Sequence, residues 1–422
     1  MGRNLRARLQ YIRENQRALP KAPALGAAPL PPHWEAAGTL TARHSARLAF
    51  PWAAASLLPA ALPVALPELR PYMAAVGTMP AAEDLVFFDL ETTGLSTGAG
   101  TVAFLAAFGR LAAETPELCI TQYLLLDYPG EEEFLTAALG ELASGKTGRP
   151  PFVLSFNGKT FDFPVLLNRC RMKGMEFPGY FHGDLLYPAR RLWRGALPSC
   201  SLRELEAAVL DVERTGDVPG SAAPDSWFSF LRTGDPLPLL GIAAHNQRDI
   251  YGLAALFQTL ASVAAEPLAG LDAFRGNRER FALYWRKQLY SRAGADFFSS
   301  HYTPLQITAL QETGFCLLQD AARRGFPRAV LAAAQELFAR HWDQDGRDCL
   351  LALTGDAAPP RFGACPAKIT AAAYRLLALD AEYRLGDPAK ALYYTGRALG
   401  IGEIPPGLKR ELLRRRDRLL RD

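Results

Sequence analysis

Three short runs of apolar and β-branched residues follow one another in the first half of the chain, separated only by Gly-, Ser-, Thr- and Pro-containing stretches: Leu85–Thr93, Thr101–Leu111 and Leu118–Leu126. Strands joined by such short connections pair antiparallel, so the pattern predicts a β-meander. Helix patterns and one buried strand then alternate, at Glu131–Leu142, Phe152–Phe156 (the strand), Phe161–Met172, Ser201–Leu210 and Leu237–Leu260. This order predicts an α/β fold, a mixed sheet flanked by helices.

The chain divides into three regions of different composition. Residues 1–80 begin with Leu5, Leu9 and Ile12 at helical spacing and continue into a proline- and alanine-rich stretch without a sustained period. We expect a short N-terminal helix and an irregular extension in this region. Residues 81–265 contain the strand and helix patterns. Residues 272–422 are rich in alanine, leucine and arginine at helical spacing, which predicts a separate all-α domain.

One helical hairpin is predicted within that last region. Residues 371–399 contain two helix patterns around a Gly386-Asp387-Pro388 turn. The hairpin resembles one tetratricopeptide repeat, with Tyr374, Ala381, Tyr383, Gly386, Ala391, Tyr394, Ala398 and Leu399 at the positions of that motif. The resemblance implies a repeat-like domain through which a protein partner binds.

The composition narrows the class of protein. Of the residues, 49% are hydrophobic and 21% are charged, which excludes wholesale disorder, and the net charge is only +4, so any nucleic-acid binding must depend on local sites. Six widely separated cysteines without a CxxC pair exclude a zinc ribbon and are typical of reduced thiols in the cytoplasm. The most apolar stretch, Phe50–Leu66, contains three prolines and is shorter than the roughly 20 residues of a membrane span. We expect a cytoplasmic protein without a membrane segment.

Two carboxylates end the first strand, in the sequence Phe87-Phe88-Asp89-Leu90-Glu91-Thr92-Thr93-Gly94-Leu95. Residues i and i+2 of a strand point to the same side, so Asp89 and Glu91 project together. At 4 Å the repulsion of two such charges is ~1 kcal/mol in water and ~4 kcal/mol at an effective dielectric near 20. A shared proton, an arginine or a divalent cation must offset it.

Two further acidic positions follow along the chain. Asp162 opens a helix after the strand end and turn at Ser155–Thr160, where an aspartate is also an ordinary helix N-cap. His245 and Asp249 stand at i and i+4 of a helix pattern, so their side chains share one face; alone, such a pair is equally an ordinary surface contact.

Together, the three segments resemble the DEDD superfamily of 3′–5′ exonucleases, which share a ribonuclease H-like fold. Asp89–Leu95 looks like its first motif, Asn157–Asp162 its second and His245–Asp249 its third. The wider match is similar to the YprB-type ribonuclease H-like domain, and it rests on the stretches Gly98–Gly109, His182–Leu186, Ser201–Glu206 and Gly216–Gly220. The histidine of the third motif departs from the superfamily pattern, because it precedes its aspartate with three intervening residues rather than four.

The resemblance implies a metal-dependent nuclease acting on single-stranded nucleic acid by a two-metal mechanism. It assigns two ions, Mg²⁺ or Mn²⁺, to Asp89, Glu91, Asp162 and Asp249, because hard oxygen ligands favour these cations. It makes His245 the base that accepts a proton from the attacking water. Candidate substrate contacts are Thr92, Leu95, Asn157 and Phe161; core packing and turn closure are the alternative roles of these residues.

Two other functions fit the same residues. One is a non-catalytic nucleic-acid-binding or adaptor protein on a nuclease fold, with the helical region as a protein-interaction domain. The other is a ribonuclease H-like endonuclease with the same metals. The basic run Lys409–Arg421 is a candidate nucleic-acid contact or, alternatively, a helix end whose cations favour the helix dipole.

Overall fold

The computed structural model describes residues 30–51, 58–94, 96–98, 100–112, 114–143, 148–212, 214, 216–356 and 365–421. Their contacts form two compact units, one running to Arg190 and resuming at Leu197–Ala265, the other comprising Arg191–Ala196 and the chain from Glu266 onward. The helix predicted around Leu5, Leu9 and Ile12 lies outside the described residues.

The first unit is built on a seven-stranded sheet, with the strands in the order β1-β2-β5-β4-β3-β6-β7. Strands β3, β4 and β5 pair antiparallel, and β6 and β7 continue from β3 in parallel. The predicted meander and mixed sheet are therefore confirmed. The strands are β1 (Glu35–Ala36), β2 (Thr41–Ala49), β3 (Leu85–Thr92), β4 (Ala103–Leu111), β5 (Glu117–Leu125), β6 (Phe152–Ser155) and β7 (Phe181–Asp184).

Residues 35–49 differ from the predicted irregular extension. Thr41–Ala49 forms strand β2, which pairs antiparallel with β5 from Thr41↔Leu125 to Ala49↔Glu117. From Arg43 to Ala49 no residue of this strand is fully buried, and polar side chains interrupt the apolar ones. The sequence therefore contains no apolar run that would indicate a strand. Its extended state is stabilised by pairing with a partner about 75 positions away, and such long-range pairing overrides local propensity.

Helices flank this sheet and bury its faces. The helix patterns predicted at Glu131, Phe161, Ser201 and Leu237 are all present, with small shifts at their ends. The helices are α1 (Leu62–Ala65), α2 (Leu69–Val76), α3 (Glu131–Ala143), α4 (Asp162–Met172), α5 (Leu186–Trp193), α6 (Leu202–Ala208), α7 (Ala223–Thr233) and α8 (Leu237–Ala265).

The core of the unit surrounds the strand that carries Asp89. Val86, Phe88 and Leu90 are buried in one cluster with side chains of the neighbouring strands and helices. Helix α8 lies close against β4: the side chain of Ile250 occupies the space that a Cβ on Gly109 would need. The close approach brings the middle of α8, which contains His245 and Asp249, toward the sheet.

The second unit is helical throughout its described residues. The predicted hairpin at residues 371–399 is present: Gly386 adopts a φ of 64°, and Asp387 caps the second helix by accepting a hydrogen bond from the Lys390 amide at 2.9 Å. A buried cluster including Tyr374, Leu377 and Leu412 holds these helices together. The helices are α9 (Pro267–Ala273), α10 (Arg278–Tyr290), α11 (Arg292–His301), α12 (Pro304–Arg323), α13 (Pro327–Ala339), α14 (Asp343–Thr354), α15 (Ala367–Tyr383), α16 (Pro388–Leu399) and α17 (Pro406–Leu419).

Among the described helices, none combines the length and the apolar character that a membrane-spanning helix needs.

Candidate active site

The carboxyl end of β3 presents Asp89 and Glu91 on the same side of the sheet. They lie opposite Ala107 and Leu105 of β4, and the register shifts directly after Glu91. The Glu91 residue is only 9% exposed, yet its carboxylate has no hydrogen-bond or ion-pair partner among the residues that the structure describes. A buried acid without a partner is costly, so this position calls for a proton or a cation.

A chain of amide side chains holds Asp89. Its Oδ2 accepts a hydrogen bond from Asn246 Nδ2 at 2.7 Å. The amide of Gln122 donates in turn to Asn246 Oδ1 at 2.9 Å, and Gln247 donates to Gln122 Oε1 at 2.7 Å. Because Asn246 and Gln122 are fully buried, the chain fixes the orientation of the Asp89 carboxylate.

Asp162 begins helix α4 directly after the turn that follows β6. In that turn Asn157 has a φ of 68°, and a Cβ added to Gly158 would lie 3.0 Å from Asp162 Oδ2, so the turn backbone passes close to the carboxylate. The buried Asp184 of β7 accepts hydrogen bonds from the amides of Asn157 and Lys159 at 2.8 and 3.1 Å. Asp184 thus anchors the turn that places Asp162.

Helix α8 brings His245 and Asp249 to the same place. His245 Nε2 lies 3.4 Å from Asp249 Oδ2, as their i, i+4 spacing predicts. One ligand atom each from Glu91, His245 and Asp249 lie within 4.8 Å of one another. A strand residue and two helix residues therefore converge on one point.

The four acids lie near enough for their charges to act on one another. Burial, followed by the charges of Asp89, Asp249 and Asp162, raises the pKa of Glu91 to about 9. Burial and the Asp249 charge raise the pKa of Asp89 to about 7. Burial and the Asp89 charge likewise raise the pKa of Asp162. This accumulation of negative charge is the arrangement that a divalent cation neutralises.

An arginine that sequence reasoning missed is buried beside this cluster. Arg214 lies in the segment between α6 and α7, and its side chain is only 6% exposed. It donates to Glu206 Oε1 at 2.7 Å and to Asp217 at 3.1 Å, and it also pairs with Asp249 Oδ1. One guanidinium thus compensates three carboxylates and leaves Oδ2 of Asp249 facing His245.

Asp217, from the same segment, holds the other nitrogen of His245. His245 Nδ1 lies 3.0 Å from both oxygens of Asp217, which also accepts from Arg248 at 2.8 Å. Burial alone would raise the pKa of Asp217, but its hydrogen bonds with His245 and Arg214 lower it to about 2. The carboxylate is therefore ionised and orients the imidazole.

The sequence contained only a weak signal for this second layer. Glu206 stands beside Leu205 in helix α6, and both are buried, so an acid occupies an inward position of an amphipathic helix. Such a buried acid requires a cationic partner. The partner, Arg214, follows in an irregular segment where no periodicity places it.

The predicted substrate contacts have local partners. Thr92 Oγ1 donates to Gly94 O at 2.8 Å, and Asn157 closes its turn by accepting from Thr160 Oγ1 at 2.8 Å. Phe161 packs against the core of the first unit. Leu95 lies outside the described residues. Binding of substrate by these four residues stays a prediction.

A cleft of about 400 Å³ opens beside the cluster. Its lining includes His245 and Asp249, together with Arg203. The Arg203 side chain is exposed and has no ion-pair partner in the described part of the chain. The cleft therefore offers an available cation next to the acids, which suits a polyanionic ligand.

The donor set fits a divalent metal ion. Glu91 and Asp249 supply hard carboxylate oxygens, and His245 adds an imidazole. The ligand atoms that lie within 4.8 Å of one another do not include those of Asp89 or Asp162, whose charges nevertheless act on Glu91. Glu91, a residue only 9% exposed and without a partner among the described residues, is the position where a cation would compensate most.

Comparison with known proteins agrees with this architecture. Residues 86–261 match a family model described as RNase_H superfamily, and this range runs from the second residue of β3 through most of α8. The fold and the match together define a ribonuclease H-like domain. The "Uncharacterized protein YprB" of Bacillus subtilis (strain 168) is 33% identical over 177 residues. That alignment covers 41% of this chain, and the chain spans the same share, about two fifths, of its relative.

Proposed function

We propose that the protein is a metal-dependent nuclease, a 3′–5′ exonuclease that hydrolyses single-stranded nucleic acid. The observation that carries the proposal is the position of Glu91: the residue is only 9% exposed, its carboxylate has no partner among the described residues, and it lies among the charges of Asp89, Asp162 and Asp249. The ribonuclease H-like domain supports nuclease chemistry, and the order of the three acidic segments supports the exonuclease class.

In this proposal, four residues hold two divalent ions, Mg²⁺ or Mn²⁺: Asp89, Glu91, Asp162 and Asp249. Bound there, the ions supply a nucleophilic hydroxide at neutral pH and neutralise charge on the leaving oxygen. Asn246 keeps Asp89 in one orientation, and Arg214 keeps one oxygen of Asp249 turned away from His245. The two supports leave the other oxygen of each carboxylate available to hold an ion, should one bind.

His245 is the proton acceptor in this mechanism. Asp217 is ionised and can only accept, so the Nδ1 of His245 carries the proton of that hydrogen bond. Nε2 is then free of a proton on the side where Glu91 and Asp249 lie. An imidazole held in one tautomer is suited to take a proton from the attacking water.

The test is the manganese-dependent shortening of a 5′-labelled 20-nucleotide single strand, made once of DNA and once of RNA. The wild-type protein is expected to release nucleotides from the 3′ end, and Asp89→Asn to lose at least about a hundredfold in rate. The exposed residue Asp225 supplies the control: Asp225→Asn removes one negative charge without touching the cluster and should cleave normally. Equal rates in wild type and Asp89→Asn would refute the nuclease assignment.

A second substrate pair separates the exonuclease from an endonuclease. Blocking the 3′ hydroxyl should abolish cleavage by an exonuclease, while an endonuclease would cut blocked and free strands alike. If internal cuts appear in the blocked strand and disappear in Asp89→Asn, the metal site would be supported, and the protein would be an endonuclease rather than an exonuclease.

A further inference from the structure

Helix α17 and the two residues after it carry a larger net positive charge than the rest of the chain. From Pro406 to Arg421 there are seven basic and two acidic side chains, a net charge of +5, against +4 for all 422 residues. The helix therefore creates a local field that the net charge of the protein conceals.

The cations of α17 fall into two sets. Arg415 and Arg418 both pair with Glu382, and Arg416 pairs with Asp417 at 2.9 Å. A second set is exposed and has no ion-pair partner among the described residues; it consists of Lys409, Arg410, Arg414 and Arg421. The first set contributes to the fold of the second unit, while the second set makes no intramolecular contact that would account for it.

We call three of the unpaired arginines, Arg410, Arg414 and Arg421, the stripe. At 100° per residue, Arg410 and Arg414 of the helix lie within about 40° of each other, opposite the buried Leu412, and Arg421 follows two residues after the helix ends. At 1.5 Å per residue, Arg410 and Arg414 lie roughly 6 Å apart along the helix axis. Asp417 stands on the same side, but Arg416 already neutralises it.

The helix dipole does not explain Lys409 and Arg410. Positive side chains are favoured in the last turn of a helix and disfavoured in the first. Lys409 lies in the first turn, Arg410 follows it, and that turn contains no acidic residue. The position of these two cations is unfavourable for the dipole and becomes favourable when an anion lies beside them.

The buried side of the helix argues against a membrane as the anionic partner. Amphipathic helices that bind lipid insert a free apolar face. Here Leu412 is fully buried and Leu408 packs on the core of the second unit, so that face is already covered. Leu420, 64% exposed, is a single apolar residue just beyond the helix end.

We propose that the stripe Arg410, Arg414 and Arg421 binds the phosphate backbone of nucleic acid. The proposal rests on the proposed function, because the bound strand would be the same polymer that the first unit hydrolyses. Phosphate contacts of this kind supply affinity without sequence preference and depend strongly on salt.

The experiment measures the affinity of the full-length protein for a fluorescent 30-nucleotide single strand of DNA, in EDTA, over a series of salt concentrations. Each lost phosphate contact lowers the slope of log affinity against log salt by about 0.7 for single strands. The triple change Arg410→Gln, Arg414→Gln and Arg421→Gln should therefore lower the slope by about 2 and weaken binding at least about tenfold near 0.1 M salt. The triple Arg→Lys variant keeps the charges and should retain the slope.

A matched control removes three exposed, unpaired cations from α10 and α11, by Arg280→Gln, Lys287→Gln and Arg292→Gln. Its net charge equals that of the first variant, and its slope should stay within about 0.5 of the wild type. Unchanged binding in the Arg410, Arg414 and Arg421 variant would overturn the proposal. Binding to vesicles with 30% phosphatidylserine that exceeds oligonucleotide binding and is lost in that variant would also overturn it.

Because chelation removes the ions needed for hydrolysis, the two proposals fail separately. Salt-dependent binding that requires the stripe, without manganese-dependent cleavage, would reject the nuclease and retain the stripe. Manganese-dependent cleavage, together with binding that is unchanged in the triple Arg→Gln variant, would retain the nuclease and reject the stripe.

Discussion

His245 Nδ1 lies 3.0 Å from both carboxylate oxygens of Asp217, a residue 28 positions earlier in an irregular segment. The contact selects one tautomer of the imidazole and fixes its ring plane. The opposite nitrogen, Nε2, then faces Asp249 Oδ2 at 3.4 Å. An unprotonated nitrogen and a carboxylate oxygen repel each other at this distance unless a proton or a cation lies near both.

Asp217 is therefore expected to act on activity through His245. In Asp217→Asn, the amide can donate to Nδ1 and favour the wrong tautomer, so kcat should fall ten- to a hundredfold with KM changed by less than about twofold. Introduced into His245→Gln, the same substitution should have little further effect, because the residue it positions is already gone. Additive losses in the double variant would show that Asp217 acts independently of His245. Asp225→Asn serves as the control for loss of one negative charge.

The role of Glu91 as a metal ligand can be tested by thermal unfolding, without an activity measurement. Manganese at about 100 times its dissociation constant should stabilise the wild-type protein by about 2.7 kcal/mol, visible as a rise in Tm. In Glu91→Gln this rise should largely vanish, since a carboxylate ligand is lost. Without metal the variant should be at least as stable as wild type, because burial already penalises the charged form of Glu91.

The control for this measurement is Asp225→Asn, which should keep the full response to manganese. A full manganese response in Glu91→Gln would contradict the role of Glu91 as a ligand. A loss of metal-free stability in that variant would indicate that the carboxylate makes a structural contact instead.

Local sequence patterns predicted the part of the site that depends on single elements. The two-residue repeat of a strand placed Asp89 and Glu91 together, and the helical repeat placed His245 beside Asp249. Both repeats are fixed by backbone geometry within a few residues. Strand β2 was missed because its side chains are mostly polar and its extended state comes from pairing with β5.

The second layer of the site depends on the whole fold and has no local signature. Arg214 meets Glu206 and Asp249 only after α6 and α8 have packed and the intervening segment has closed over them. In the sequence, Asn246 likewise cannot be distinguished from the other polar residues of its helix. In the structure it is fully buried and donates a hydrogen bond to Asp89. The partner of each such residue is set by tertiary contacts, which no spacing in the sequence encodes.

Arg214 should be essential for the stability of the metal-free first unit. Removing one partner from a buried ionic cluster commonly costs 3–5 kcal/mol, because the remaining charges stay buried without compensation. Arg214→Met should therefore lower the free energy of unfolding by about 3 kcal/mol or more. Urea denaturation in EDTA, followed by far-ultraviolet circular dichroism, measures it.

Arg248 provides the matched control, because it contacts the same Asp217 but its side chain is 41% exposed. Arg248→Met should cost less than about 1 kcal/mol, as exposed ion pairs do. Equal effects of the two substitutions would show that Arg214 does not compensate the buried acids. Recovery of much of the Arg214→Met loss by added manganese would support the view that guanidinium and metal neutralise the same cluster.

His182 predicts a loss of stability in mild acid that is independent of the metal site. Its Nε2 lies 2.7 Å from Ser155 Oγ, and burial, assisted by the charge of Lys159, lowers the pKa of the imidazole from 6.5 to about 4. Below pH 6.5 His182 binds a proton in the unfolded chain but not in the folded protein. The contribution of the neutral His182 side chain to stability is therefore complete above pH 6.5 and is lost as the pH falls toward 4. The loss should reach roughly 2–3 kcal/mol. His182→Gln keeps a polar group near Ser155 that does not titrate in this range. The difference in unfolding free energy between the wild type and His182→Gln should therefore shrink from pH 7 to pH 4.5. A constant difference would mean that His182 is protonated equally in the folded and the unfolded state.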